Sequence, residues 1–139
     1  MTFEEKSQWA YAVATFVTTA GYFSWLGAQL ADEPVEAIGY RGALLWALGA
    51  SILINAIGAG IARASVPQGA DRADARDREV NRRGDALSFY VFSVLAAVPL
   101  VLGLFEVHAF WIVNSLFAAF ALTAVAGVVI RAVLYRRGI

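Results

Sequence analysis

The stretch Asp71-Arg72-Ala73-Asp74-Ala75-Arg76-Asp77-Arg78-Glu79-Val80-Asn81-Arg82-Arg83-Gly84-Asp85 is the one long polar insert in a chain that otherwise reads as lipid-soluble helix. Its own later part has helical spacing, since Asp74 to Arg78 and Glu79 to Arg83 are acid-before-base pairs four residues apart. Gly84 offers a weak point where this segment meets the next apolar run. Outward in both directions the sequence turns apolar, and over all 139 residues it is 60% hydrophobic and 16% charged. With a mean hydropathy of +0.63, that is more than an ordinary soluble domain carries.

Four runs are long enough to cross a hydrocarbon layer of about 30 Å at roughly 1.5 Å per helical residue. They cover about residues 9–30, 43–62, 86–105 and 110–130, with the charged segment 63–85 between the second and third. The predicted fold is therefore an all-α membrane protein, a single domain of four transmembrane helices in an up-down antiparallel bundle. The first connection, residues 31–42, is short and acidic, with Pro34 and Gly39 against helix continuation. The third is a tight turn, Glu106 to Ala109. Pro99, inside the third run, cannot donate to the carbonyl of Leu95 and predicts a kink there.

Arginine placement gives the expected orientation. Arg63, Arg72, Arg76, Arg78, Arg82 and Arg83 lie in the second connection and Arg131, Arg136 and Arg137 follow the fourth run, whereas the other side holds only Arg41. By the positive-inside rule the charged segment and both termini are cytoplasmic, in a multi-pass protein of a bacterial inner membrane. Trp25, Tyr40, Trp46, Phe110 and Trp111 would then gather at the outer interface, and Trp9, Tyr90 and Tyr135 at the inner one. The N-terminus, MTFEEKS, lacks a basic region and a small-residue cleavage site, so it is expected to be mature chain and not a signal peptide.

Polar residues within the runs are few and patterned. Tyr11, Thr15, Thr18 and Tyr22 share one face of the first helix, and Ala47, Ser51, Asn55 and Ala59 share one face of the second. Ser115, Ala119, Thr123 and Ala126 repeat the device in the fourth, suiting close helix packing and self-association. Asn55, near mid-span, and Asn114, higher in the fourth span, each need a hydrogen-bonding partner. The simpler expectation is an interhelical bond; the sharper one is a pocket that Thr18 and Tyr22 help to line. Threonines in such helices more often bond their own backbone. His108, the single histidine, lies beside Glu106 at the predicted outer interface, without visible companions for a metal site.

With no cysteine, thiolate catalysis and disulfides are excluded, and no nucleophile elbow, phosphate loop or paired catalytic carboxylates occur. Gly58-Ala59-Gly60 begins like a dinucleotide fingerprint but follows no strand and lies within a span. No formal charge falls within the four spans, which disfavours ion-coupled transport. No catalytic residue, metal or cofactor is therefore predicted.

Several strings together resemble a family of small four-span bacterial membrane proteins of uncharacterised function. They are MTFEEK at the start, Asp77-Arg78-Glu79-Val80-Asn81-Arg82-Arg83-Gly84, His108-Ala109-Phe110-Trp111 with Asn114, and Tyr135-Arg136-Arg137-Gly138. Relatives often read Asp-Glu-Arg-Asp where this chain has Asp74-Ala75-Arg76-Asp77. The resemblance implies a neighbouring small helix-turn-helix regulator as partner, and no catalytic residues.

The expected function is thus non-enzymatic: a regulatory or scaffold protein docking a cytoplasmic partner through Asp77, Arg78, Glu79, Asn81, Arg82 and Arg83. The same arginines suit anionic lipid. The alternative is a small-molecule binder or transporter with a polar cavity around Thr18, Tyr22 and Asn55. Expected partners are membrane lipid, further copies of the chain and the cytoplasmic regulator, with no direct nucleic-acid binding.

Overall fold

The computed structural model of the chain describes residues 3–64 and 75–138. Four α-helices account for nearly all of them: α1 (Phe3–Asp32), α2 (Tyr40–Ala64), α3 (Ala75–Leu104) and α4 (Ala109–Arg136), with no strand among the described residues. Three helices are long and apolar enough to cross a membrane, over Tyr40–Gly58, Asp77–Leu104 and Ala109–Arg136. α1 is equally long at 30 residues, but its tyrosines, threonines and tryptophans dilute its hydropathy. The expected pairing of Asp74 with Arg78 lies outside the described residues.

α4 packs against both α3 and α1, and α2 packs mainly on α1 while touching α4 where Tyr40 meets Phe110. The main interfaces therefore run in the order α2, α1, α4, α3, and no comparable interface joins α2 to α3. Along the α3/α4 seam, Asp77 meets Tyr135, Asp85 meets Arg131 and Phe92 stacks on Phe120, so the two helices run antiparallel.

Two local devices make the α3/α4 hairpin. At the end of α3 the amide of Glu106 donates to Gly103 and that of Val107 to Leu102, both at 3.1 Å. Glu106 takes φ 52° in the left-handed region, which together gives a Schellman C-cap with a glutamate where glycine is usual. Two residues later His108 caps α4: its Nδ1 accepts from the amide of Phe110 at 3.3 Å.

α3 corrects the sequence reading at Gly84, which is not a break. The helix runs without interruption through Gly84 and Pro99, because Gly84 faces α4 and its missing side chain makes room for Arg131. A Cβ there would lie 2.7 Å from Cγ of Arg131. Asp77, Val80, Gly84 and Ser88, spaced by three and four, form one continuous face against α4, with Val80 and Gly84 buried. Residues 75–85 of the charged segment are thus the first turns of a packed helix.

The main cluster of buried residues sits at the end of the molecule that holds the α1–α2 loop. Tyr22 and Leu26 of α1, Ile38 of the loop, Tyr40 and Leu44 of α2, and Phe110 and Phe117 of α4 meet there. Tyr40 and Phe110, two of the aromatics expected to gather at one end of the bundle, meet there and are buried, edge to face with ring centroids 4.9 Å apart. Aromatic surface gains more from that contact than from an exposed site.

Candidate functional site

The polar residues singled out by the sequence fall into three places. Tyr22 and Asn114 come together: the tyrosine hydroxyl donates to Oδ1 of Asn114 at 2.7 Å, and Nδ2 of Asn114 donates to the carbonyl of Phe110 at 2.8 Å. Both side chains are buried, and Phe117 stands edge to face on the Tyr22 ring at 5.4 Å. This is a closed interhelical bond, with the tyrosine proton and both ends of the amide engaged.

Thr18 donates back to the carbonyls of Ala14 at 2.9 Å and Thr15 at 3.1 Å, so its hydroxyl does not reach into a cavity. The space beside Thr18 and Tyr22 is an open groove of about 390 Å³ between α1 and α2, walled by Val17, Trp25, Trp46 and small residues. Asn55 is half-buried further along α2 and does not line that groove. Of the residues expected around a polar cavity, Thr18 and Tyr22 both line this groove and Asn55 does not, while the Tyr22 hydroxyl is engaged by Asn114 and that of Thr18 by its own backbone.

The charged end of α3 is the third place, and there each acid has a partner within the chain. Asp77 accepts from the hydroxyl of Tyr135 at 2.9 Å. Glu79 is gripped by two arginines of its own helix: Nε and Nη2 of Arg82 donate to it, each at 3.1 Å, and Nε of Arg83 adds a third bond. Asp85 pairs with Arg131 of α4. The carboxylates thus have partners within the chain, while Arg78 is exposed and the side chains of Arg82 and Arg83 keep 79% and 49% of their surface. Arg78 and Arg82 share a face at four-residue spacing, turned away from α4. Asn81 is half-buried between the two faces.

Sequence reasoning did not anticipate the Arg131 environment. This side chain retains only 19% of its surface and lies in a lane between Gly84 and Gly127. A Cβ on Gly127 would come within 2.9 Å of Oγ of Ser88 and 3.2 Å of Nη1 of Arg131. The signal was present, since Gly84, Gly127 and a terminal Arg131 are unusual in a polar-poor chain, but only the fold brings residues from two helices together.

Among the described residues no group of three His, Asp or Glu side chains is placed to hold a metal ion. Compared with known proteins, the chain matches no family model, no curated protein and no solved structure.

Proposed function

We propose that this chain is a non-enzymatic protein of the bacterial inner membrane that docks an acidic surface of a cytoplasmic partner on the exposed arginine face of α3. In this reading all four helices span, in an up-down antiparallel bundle with the termini and the charged segment in the cytoplasm. α1 joins the three more apolar spans because two of its polar groups are answered within the protein, Thr18 by its backbone and Tyr22 by Asn114. The arginine bias of the second connection and the C-terminus supports the orientation. Self-association would use the small-residue faces left open on α2.

One observation carries the docking reading. Asp77 and Asp85 are paired with Tyr135 and Arg131 of α4, and Glu79 offsets only one charge of its two partners Arg82 and Arg83, so the exposed Arg78, Arg82 and Arg83 leave a surplus of positive charge on the solvent side of α3. A rigid row presents guanidinium forks at fixed spacing, which suits carboxylates on a folded partner better than a mobile tail would. The resemblance noted above makes a small helix-turn-helix regulator the first partner to try.

The test is charge reversal. With Arg78→Glu, Arg82→Glu and Arg83→Glu combined, cross-links from segment 75–85 to a soluble DNA-binding protein in native membranes are expected to vanish, with membrane insertion intact. If the same cross-links survive the triple reversal, the arginine face is not the docking surface.

A further inference from the structure

Beside Arg131 a cleft of about 460 Å³ opens between α1, α3 and α4. Its walls are Tyr11 of α1, Ser88 of α3, and Thr123, Ala124, Gly127, Val128 and Arg131 of α4. α1 and α3 both pack on α4 without a comparable interface to each other, and the cleft lies where they part.

The guanidinium in this cleft is under-engaged. Of its five donors, one on Nη2 meets Asp85, whose side chain is 70% exposed to solvent that screens it. Nε is buried without a hydrogen-bond partner. Nη1 runs along Gly127 at the wall of the cleft, where the absent Cβ leaves it uncovered. The hydroxyls of Ser88 and Thr123 already donate, to Gly84 at 2.7 Å and to Ala119 at 2.7 Å, so they hold their positions and do not compete for Asp85. Tyr11, 45% exposed, brings a further hydroxyl from across the cleft.

The cleft is also graded. Arg131 lies near the C-terminal end of α4, and from there to Thr123 is eight residues, about 12 Å along the helix, past the apolar Val128 and Ala124. Such a site is cationic at the level where a membrane-spanning helix ends and apolar above it.

We propose that this cleft is a phosphate site: Arg131 holds a phosphodiester oxygen through the Nη1 side of its fork, and the apolar wall of Ala124 and Val128 takes the beginning of an acyl chain. The ligand chemistry is a phosphoryl oxyanion, supplied by the phosphodiester of an anionic glycerophospholipid or, at the polar end alone, by free phosphate. Arg131 is kept in place by Asp85 and by the two glycines, so the site is formed before the ligand arrives.

The experiment is native mass spectrometry of the full chain released from detergent, titrated with phosphatidylglycerol, with phosphatidylcholine, or with inorganic phosphate. The expected result is one phosphatidylglycerol bound per chain at least tenfold more tightly than phosphatidylcholine. Arg131→Gln and Ala124→Leu each weaken it tenfold or more; Arg82→Gln, on the opposite face of α3, leaves it within twofold. Ala124→Leu fills the cleft without touching the Arg131–Asp85 pair, so it decides the matter even if Arg131→Gln fails to fold. Adducts of inorganic phosphate that depend on Arg131 but not on Ala124, without a preference among lipids, support the phosphate site and assign it to the soluble ion. Lipid binding unchanged by Ala124→Leu, or weakened equally by Arg82→Gln, overturns the proposal, because surface charge would then explain the affinity.

Discussion

Tyr22→Phe isolates one hydroxyl in the bond that ties α1 to α4. The bond is short, 2.7 Å, and both residues are at least 95% buried beneath Phe117 and Phe23. Removing the hydroxyl leaves the ring packing intact and strips Oδ1 of Asn114 of its donor, while Nδ2 keeps the Phe110 carbonyl. Interhelical hydrogen bonds in membrane proteins average about 0.6 kcal/mol in double-mutant cycles, with a ceiling near 1.7. An acceptor left buried and unsatisfied costs about 1 to 3 kcal/mol. The site is dry and the amide is oriented by a second bond, so the coupling belongs in the upper part of the range, about 1 to 1.7 kcal/mol. A double-mutant cycle of Tyr22→Phe and Asn114→Leu, followed by reversible unfolding in mixed micelles of dodecyl sulfate, measures it. The single variants should each lose more than about 1 kcal/mol, and the double variant should be less destabilised than their sum by the coupling term. A coupling indistinguishable from zero would refute the reasoning and show that α1 is held by the aromatic contacts alone.

Other consequences follow from the hairpin and the α3/α4 seam. Glu106→Gly should stabilise the fold by about 1 kcal/mol in the same unfolding assay, since it relieves a left-handed residue at φ 52°; Glu106→Val should lower stability by a comparable amount. His108→Ala removes the cap of α4 and should cost about 0.5 to 1 kcal/mol, at the low end for caps because the bond is long at 3.3 Å. Gly84→Leu forces the stem of Arg131 out of its lane and should cost about 1 to 3 kcal/mol. That variant should also abolish the Arg131–Asp85 pair, which a rise in the reactivity of Arg131 toward dicarbonyl reagents would report.

What the sequence made legible was whatever depends on local composition. Long apolar stretches without cysteine gave the all-helical class, and Pro34 and Glu106 marked the two short connections because backbone chemistry there is set by neighbours in the chain. Thr18 bonding its own backbone was likewise foreseeable from residue type. Illegible were the choices among distant partners. Asn55 and Asn114 look alike as single polar residues in apolar runs, yet only Asn114 meets a tyrosine hydroxyl. Gly84 reads as a helix breaker when its neighbours alone are considered, and becomes a packing surface once Arg131 lies across it. Tyr40 and Phe110 could be grouped at one end of the bundle from the sequence, but that they are buried against each other could not. The interleaved charges of Asp77 to Arg83 suggested mixed pairing with a partner. The fold instead pairs Asp77 and Asp85 with Tyr135 and Arg131 of α4 and Glu79 with Arg82 and Arg83, because one face of the same helix continues the seam with α4.

The order α2, α1, α4, α3 also has a consequence in time. α1 and α2 leave the ribosome first, but Tyr22 must wait for Asn114, which is 92 residues further along. At about 5 to 20 residues per second, translation takes roughly 5 to 18 s to cover that interval. In the proposed four-span topology α1, whose hydropathy is diluted by its tyrosines, threonines and tryptophans, sits during it in or beside the insertion channel with its Tyr22 hydroxyl unanswered. A nascent chain stalled before residue 114 should therefore stay in contact with the insertion machinery and be degraded readily, and one stalled after α4 has emerged should be released.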